Sequence, residues 1–143
     1  MKNMYLLRRL RPYIDQNVAL AFFKSLIQCH FDYCSPVWSN ASKSLLSKLQ
    51  VLQNRSLRIV MNVDYRHSSN SLYTLLKLDR LDLRWWKQLA CTMFRSMFNF
   101  YPAYLCELLS YRELVYRTRS GENKLLLFRP NTNYGKRSLR YRL

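Results

Sequence analysis

Glycine occurs only twice in this chain of 143 residues, at Gly121 and Gly135, and proline four times. A chain so poor in residues that reverse direction cheaply is suited to long elements joined by short connections. Through residues 1–110 the apolar side chains recur at three- and four-residue intervals, which is the helical period. Helices are therefore expected over residues 2–10, stopping ahead of Pro12, and over 15–28 with Asp15 as its cap. Further helices are expected over 42–62, capped by Ser42, and over 69–77, 82–98 and 102–109, the last with Pro102 at its first position. Residues 30–40, aromatic and containing Pro36, are expected to turn.

The pattern also assigns faces. In the second helix Val18, Leu20, Phe22, Phe23, Leu26 and Ile27 leave a narrow polar stripe of Asn17, Lys24 and Gln28, so this helix is expected to be central. Leu45, Leu49, Leu52 and Ile59 mark the expected buried stripe of the long helix, and Ser44, Lys48, Arg55 and Arg58 another face. Trp85, Trp86, Leu89, Met93 and Met97 line one side of the 82–98 helix; Arg84, Lys87, Cys91 and Arg95 line another. Residues 111–143 are richer in Arg, Asn and Tyr and read as a basic tail of loop and short strands. Residues 125–128 and 137–141 form a candidate β-hairpin through Asn133-Tyr134-Gly135. The expected architecture is mainly α: an irregular helical bundle at 1–110 and a loop-rich tail at 111–143.

Charge is the main pointer to function. Lys and Arg number 24 against 8 Asp and Glu, a net charge of +16. A compact fold with that excess repels itself unless an anion neutralises part of it, and nucleic acid, anionic membrane and acidic protein are the candidates. The longest uncharged run, residues 96–106, contains Asn99 and Pro102. It falls short of the ~18–20 apolar residues a membrane span needs, so no span is expected. The opening residues, with Lys2, Arg8 and Arg9 around a short apolar run, do not read as a secretory leader. Cys29, Cys34, Cys91 and Cys106 are accordingly expected as reduced thiols inside a cell.

No catalytic constellation is legible. Metal-dependent phosphoryl transfer needs convergent carboxylates, and the acids here are scattered. Asp79 and Asp82 lie three apart, but at a helix start, where the positive end of the helix accounts for them. Cys29, His30 and Cys34 form a partial cluster; a structural zinc site needs four ligands, usually two spaced pairs, and no second pair is near. A glycine-rich phosphate loop is absent. No catalytic residue, metal site or cofactor is expected. Arginine interleaved with aromatic rings remains, as in Tyr116-Arg117-Thr118-Arg119 and Arg137-Ser138-Leu139-Arg140-Tyr141-Arg142. Arginine pairs with phosphate in two-point geometry, and rings stack on unpaired bases.

Four blocks carry a resemblance. They are Ser25-Leu26-Ile27-Gln28-Cys29-His30-Phe31-Asp32-Tyr33-Cys34-Ser35-Pro36-Val37-Trp38, Leu49-Gln50-Val51-Leu52-Gln53-Asn54-Arg55-Ser56-Leu57-Arg58-Ile59, Tyr116-Arg117-Thr118-Arg119-Ser120, and Arg129-Pro130-Asn131-Thr132-Asn133-Tyr134-Gly135-Lys136-Arg137-Ser138. In order and spacing they resemble the region downstream of the palm in LINE-type (non-LTR, jockey- and CR1-like) retrotransposon reverse transcriptases. Cys29 departs from that pattern, standing where proline is common. The resemblance implies the thumb and the segment after it, a helical unit that clasps template–primer duplex beside an upstream palm domain. The palm's paired catalytic aspartates have no counterpart here, which implies a non-catalytic fragment. It also implies a nuclear location, and a chain that opens inside a helix and stops where family members continue.

Thumb helices that grip a duplex touch phosphate and sugar without reading bases. Lys48, Arg55, Arg58, Arg84 and Lys87 are the expected phosphate contacts to RNA, DNA or an RNA–DNA hybrid. Arg117, Arg119, Lys136, Arg137 and Arg140 are expected to add to them from the tail. Tyr33, Trp38 and Gln53 are expected to organise the core. The alternatives are a basic amphipathic protein that binds anionic membrane or protein partners, a processed end of an active polymerase, or a decayed element without function.

Overall fold

The computed structural model describes residues 2–107, 109, 126, 129–133 and 135–137, and among these the regular structure is helical, with no strand. Helix α1 (Lys2–Leu10) passes into a 3-10 turn at Arg11–Tyr13, where Pro12 lacks the N–H that another α-helical turn would use. Helix α2 (Gln16–Phe23) widens into a π-helical stretch, Lys24–Gln28, and resumes as α3 (Cys29–Asp32). Next come α4 (Ser35–Trp38), α5 (Lys43–Met61), α6 (Ser69–Leu76), α7 (Leu81–Met97) and α8 (Ala103–Cys106). Pro102 is the residue before α8, one position earlier than expected.

Helix ends show how a glycine-poor chain turns. The α5, α6 and α7 helices each stop at a left-handed residue that is not glycine: Asn62 (φ 52°), Lys77 (φ 50°) and Asn99 (φ 56°). In each case the next N–H reaches back to a carbonyl five residues earlier: Val63 to Arg58 at 3.1 Å, Leu78 to Tyr73 at 3.0 Å and Phe100 to Arg95 at 2.9 Å. This closure satisfies carbonyls left over at the helix end. Asn tolerates the conformation; at Lys77 it costs about 1–2 kcal/mol. At the opposite ends, Asp15 and Ser42 occupy the expected cap positions, but neither side chain makes a cap hydrogen bond. The Ser42 hydroxyl meets that of Ser44 instead, at 3.0 Å.

Two compact units emerge, the first comprising Met1–Ser35 and Ala41–Trp85, the second Pro36–Asn40 and Trp86–Leu143. In the first, α5 packs against α1, α2 and α6. Leu7, Ala19, Phe23, Ile27, Phe31, Leu57, Val60, Leu72, Leu76, Leu81 and Trp85 are buried there.

The faces differ from those a 3.6-residue period predicts. Val18 and Leu26 are exposed while Gln28, expected outside, is buried. For Leu26 and Gln28 the π stretch is the reason: i→i+5 bonding places an extra residue in the turn, so faces counted from α2 lose register beyond Phe23, whereas Val18 lies in α2 ahead of that stretch. Asn3 donates to the Leu26 carbonyl within that stretch at 2.7 Å. In α5 the buried face consists of Gln53, Ser56, Leu57 and Val60; of the expected stripe, Leu45 is exposed and Leu49, Leu52 and Ile59 are only half-buried. The helix is rotated because its polar residues find partners inside.

Those partners form a network. Gln53, with 0% exposure, donates to the Asp79 carbonyl at 3.2 Å and accepts from the Tyr73 hydroxyl at 2.8 Å. Gln50 donates to Gln53, Asn54 and Tyr73 and accepts from the Leu81 N–H at 3.1 Å. Asp32 and Arg84 form a two-point pair at 2.6 and 2.7 Å, and the Trp85 indole donates to the Phe31 carbonyl at 3.0 Å. Buried polar groups that are mutually satisfied fix one arrangement of helices where apolar packing alone would tolerate several.

Burial pushes the Tyr73 hydroxyl from 10 up to about 12, against the opposing bond from Gln50. The folded state thus holds this proton more tightly than the unfolded chain. That contribution to stability is complete below about pH 10 and is lost as pH climbs towards about 12. Tyr73→Phe should lower stability at neutral pH and flatten this alkaline decline. Urea unfolding of both proteins at about pH 8 and about pH 11 measures the difference.

In the second unit Ser39, Leu89 and Ser96 are buried, while Trp86 (63% exposed) and Met97 are exposed, contrary to the expected apolar side of α7. Phe94 and Phe98 pack with ring centres 4.6 Å apart. Asn40 donates to the Lys136 carbonyl at 3.0 Å. Gly135 opens a 3-10 turn, Gly135–Arg137, and a Cβ there would lie 2.5 Å from that of Pro130, so only glycine fits. Arg137 therefore sits in a turn and not at the start of a strand. Most of the candidate hairpin (125, 127–128 and 138–141) lies outside the described residues, and Leu126 is exposed. Among the described residues no helix is long and apolar enough to cross a membrane.

Candidate nucleic-acid interface

Helix α1 has Met4, Arg8 and Arg11 at positions i, i+4 and i+7, the last in the 3-10 turn that follows the helix. Helix α5 places Arg55, Arg58 and Ile59 at i, i+3 and i+4, with Asn62 at the left-handed cap that follows. Such spacing sets each group along one stripe. Packing of α1 on α5, with Leu7, Leu57 and Val60 buried, brings the two stripes to opposite walls of one groove.

The groove has a volume of about 960 Å³ and is walled by Met4, Tyr5, Arg8, Arg11, Pro12, Arg55, Arg58, Ile59 and the 62–65 connection after α5. Four guanidinium groups line it, and Asp64 is the one carboxylate among the lining residues. Arg11 fastens the two walls together, since its Nε donates to the Val60 carbonyl at 2.8 Å and Nη1 to the Ile14 carbonyl at 2.9 Å. A cation on the carbonyls of the last turn of α5 also complements the helix dipole. Arg58 donates from Nε to the His67 carbonyl at 3.0 Å. A guanidinium has five donors, so these bonds leave most of its hydrogen-bonding capacity. Arg8 and Arg55 are exposed and form no ion pair among the described residues. The Asp64 carboxylate accepts the Tyr65 N–H at 2.6 Å.

Two aromatic rings complete the lining. Tyr5 is 56% exposed and Tyr65 71%. Each carries an arginine over its ring: Arg9 lies 5.0 Å from the centre of Tyr5, and Arg66 5.4 Å from that of Tyr65. Cation–π pairing of this kind restricts an exposed ring at modest energy, about 0.5–1 kcal/mol.

Of the cations expected to meet phosphate, the structure brings Arg55 and Arg58 into the groove, while Lys48 is exposed two turns earlier on α5. Arg84 is instead committed to Asp32, whose hydrogen bonds raise its pKa above the ordinary value, and it ties α7 to α3. Lys87 and Lys136 are exposed in the second unit, and the backbone of Arg137 lies in the turn described above. Arg117, Arg119 and Arg140 lie outside the described residues. Tyr33, expected in the core, is 77% exposed, with Cys34 left-handed (φ 50°) directly after it; Trp38 is half-buried, and Gln53 does lie in the core.

Sequence reasoning missed Tyr5, Arg8, Arg11 and Tyr65. The i, i+4, i+7 spacing in the first helix was a usable signal, but nothing in the local pattern paired it with α5. No protein-family model, curated protein or solved structure matches the chain.

Proposed function

We propose that this chain is a non-catalytic nucleic-acid-binding unit that grips the phosphate backbone of a duplex without reading its sequence. The observation that carries the reading is the convergence of Arg8, Arg55 and Arg58 on one groove with a single lining carboxylate, in a chain of net charge +16. Guanidinium groups bind phosphate in two-point geometry, and helix-borne cations without base-reading partners position a duplex instead of discriminating among sequences. The sequence blocks that resemble the thumb of LINE-type reverse transcriptases support the same reading, with RNA–DNA hybrid as the natural ligand and a palm as upstream neighbour. In this reading polymer chemistry belongs to that palm and the location is nuclear.

A second reading has its own observation: α1 exposes Leu6 and Leu10 beside Arg9, a pattern that suits an anionic membrane surface. Titration against a labelled RNA–DNA hybrid and against anionic lipid vesicles, each over a salt series, separates the two. The duplex reading expects a linear log–log salt dependence of slope about −0.9 per phosphate neutralised, and at least three phosphates engaged. Vesicle binding with no duplex binding would overturn it.

A further inference from the structure

The groove contains more than phosphate binding needs. A duplex presents phosphates and sugars to a basic surface and keeps its bases stacked inside, so it has no use for aromatic rings in the binding groove. Tyr5 and Tyr65 nevertheless line the same groove as Arg8 and Arg55, and both rings are held by an arginine on one face. A volume of about 960 Å³ lies at the upper end of the ~300–1,000 Å³ of small-molecule sites. Cations that track a backbone, with rings on which bases stack, are the combination by which proteins hold single strands.

We propose that this groove takes an unpaired stretch of RNA or DNA, with Arg8, Arg55 and Arg58 on its phosphates and bases stacked on Tyr5 and Tyr65. The ligand is then a duplex end with an overhang, or a junction, in preference to continuous duplex. This rests on the nucleic-acid reading above and narrows it.

The test compares three labelled probes with the full chain: a blunt hybrid duplex, the same duplex with a short unpaired overhang, and one whose overhang is abasic. The abasic probe keeps every phosphate and removes the bases. The natural overhang should bind about tenfold more tightly than the blunt duplex, about 1.4 kcal/mol, within the range for stacking one base on an aromatic side chain. The abasic overhang should recover little of that gain. Tyr5→Leu and Tyr65→Leu should each bring the overhang-to-blunt affinity ratio towards one. Tyr13→Leu, at an exposed ring outside the groove, should leave the ratio unchanged. Equal affinity for blunt and overhang probes, or an abasic overhang as good as the natural one, overturns this inference and leaves duplex binding standing. Failure of all three probes to bind overturns both.

Discussion

Replacing Gln53 by leucine is expected to lower the unfolding free energy by about 3 kcal/mol, although leucine is the more hydrophobic residue. Gln53 is fully buried and joins four members of the network: it donates to the Asp79 carbonyl and towards Gln28, accepts from Tyr73 and receives a bond from Gln50. Leucine would leave these groups short of partners inside the protein, at about 1–3 kcal/mol for each that finds no substitute. Tyr73 retains its bond to Asn54, so the full sum is not reached. A loss of this size is a large share of the ~5–15 kcal/mol that holds a typical domain folded. Urea denaturation gives the number directly. Tyr73→Phe alone should cost less, and the double variant should lose about 1 kcal/mol less than the two single losses added, because the two residues share a bond. A neutral Gln53→Leu variant would show that the core tolerates an apolar residue there and that the network does not select the packing.

The second large effect concerns binding. Changing Arg8 and Arg55 together to glutamine should reduce the magnitude of the log–log salt slope for duplex binding by about 1.8, the share of two phosphate contacts. At about 0.1 M salt the same loss corresponds to an affinity drop of about sixty-fold, shrinking as salt rises. Both side chains are exposed, so the fold should be unaffected, and far-UV circular dichroism checks that. Lys24→Gln with Lys43→Gln removes equal charge from exposed positions outside the groove and should leave the slope nearly unchanged. If both double variants reduce the slope equally, binding follows net charge, and the groove has no special part in it.

The contrast between those residues shows what could be read in advance. The arginines of α5 stand out in the sequence because a cationic stripe at helical spacing is a local pattern. Arg84 fits the same kind of pattern, yet it is held in two-point contact by Asp32, 52 positions away. Charge periodicity reports which face a cation shares, and says nothing about a carboxylate delivered by another helix. Gln28 was misplaced for a related reason. Amide side chains avoid burial only when they lack partners, and Gln28 accepts from Gln53, 25 positions away.

The positions of the longer helices, the mainly helical character of residues 2–107 and the excess of positive charge were determined by the sequence alone, whereas α4 lies in a segment expected to turn. They depend on apolar period, breaker residues and composition, which are properties of neighbouring residues. Which side of α2, α5 and α7 faces inward, and which cations share a groove, was decided only by the tertiary structure. A helix with apolar residues on most of its circumference has several faces of similar transfer free energy. A π turn, a network of buried amides and the clip of Arg11 onto the Val60 carbonyl, 49 positions away, select among them. These interactions exist only once the helices have met.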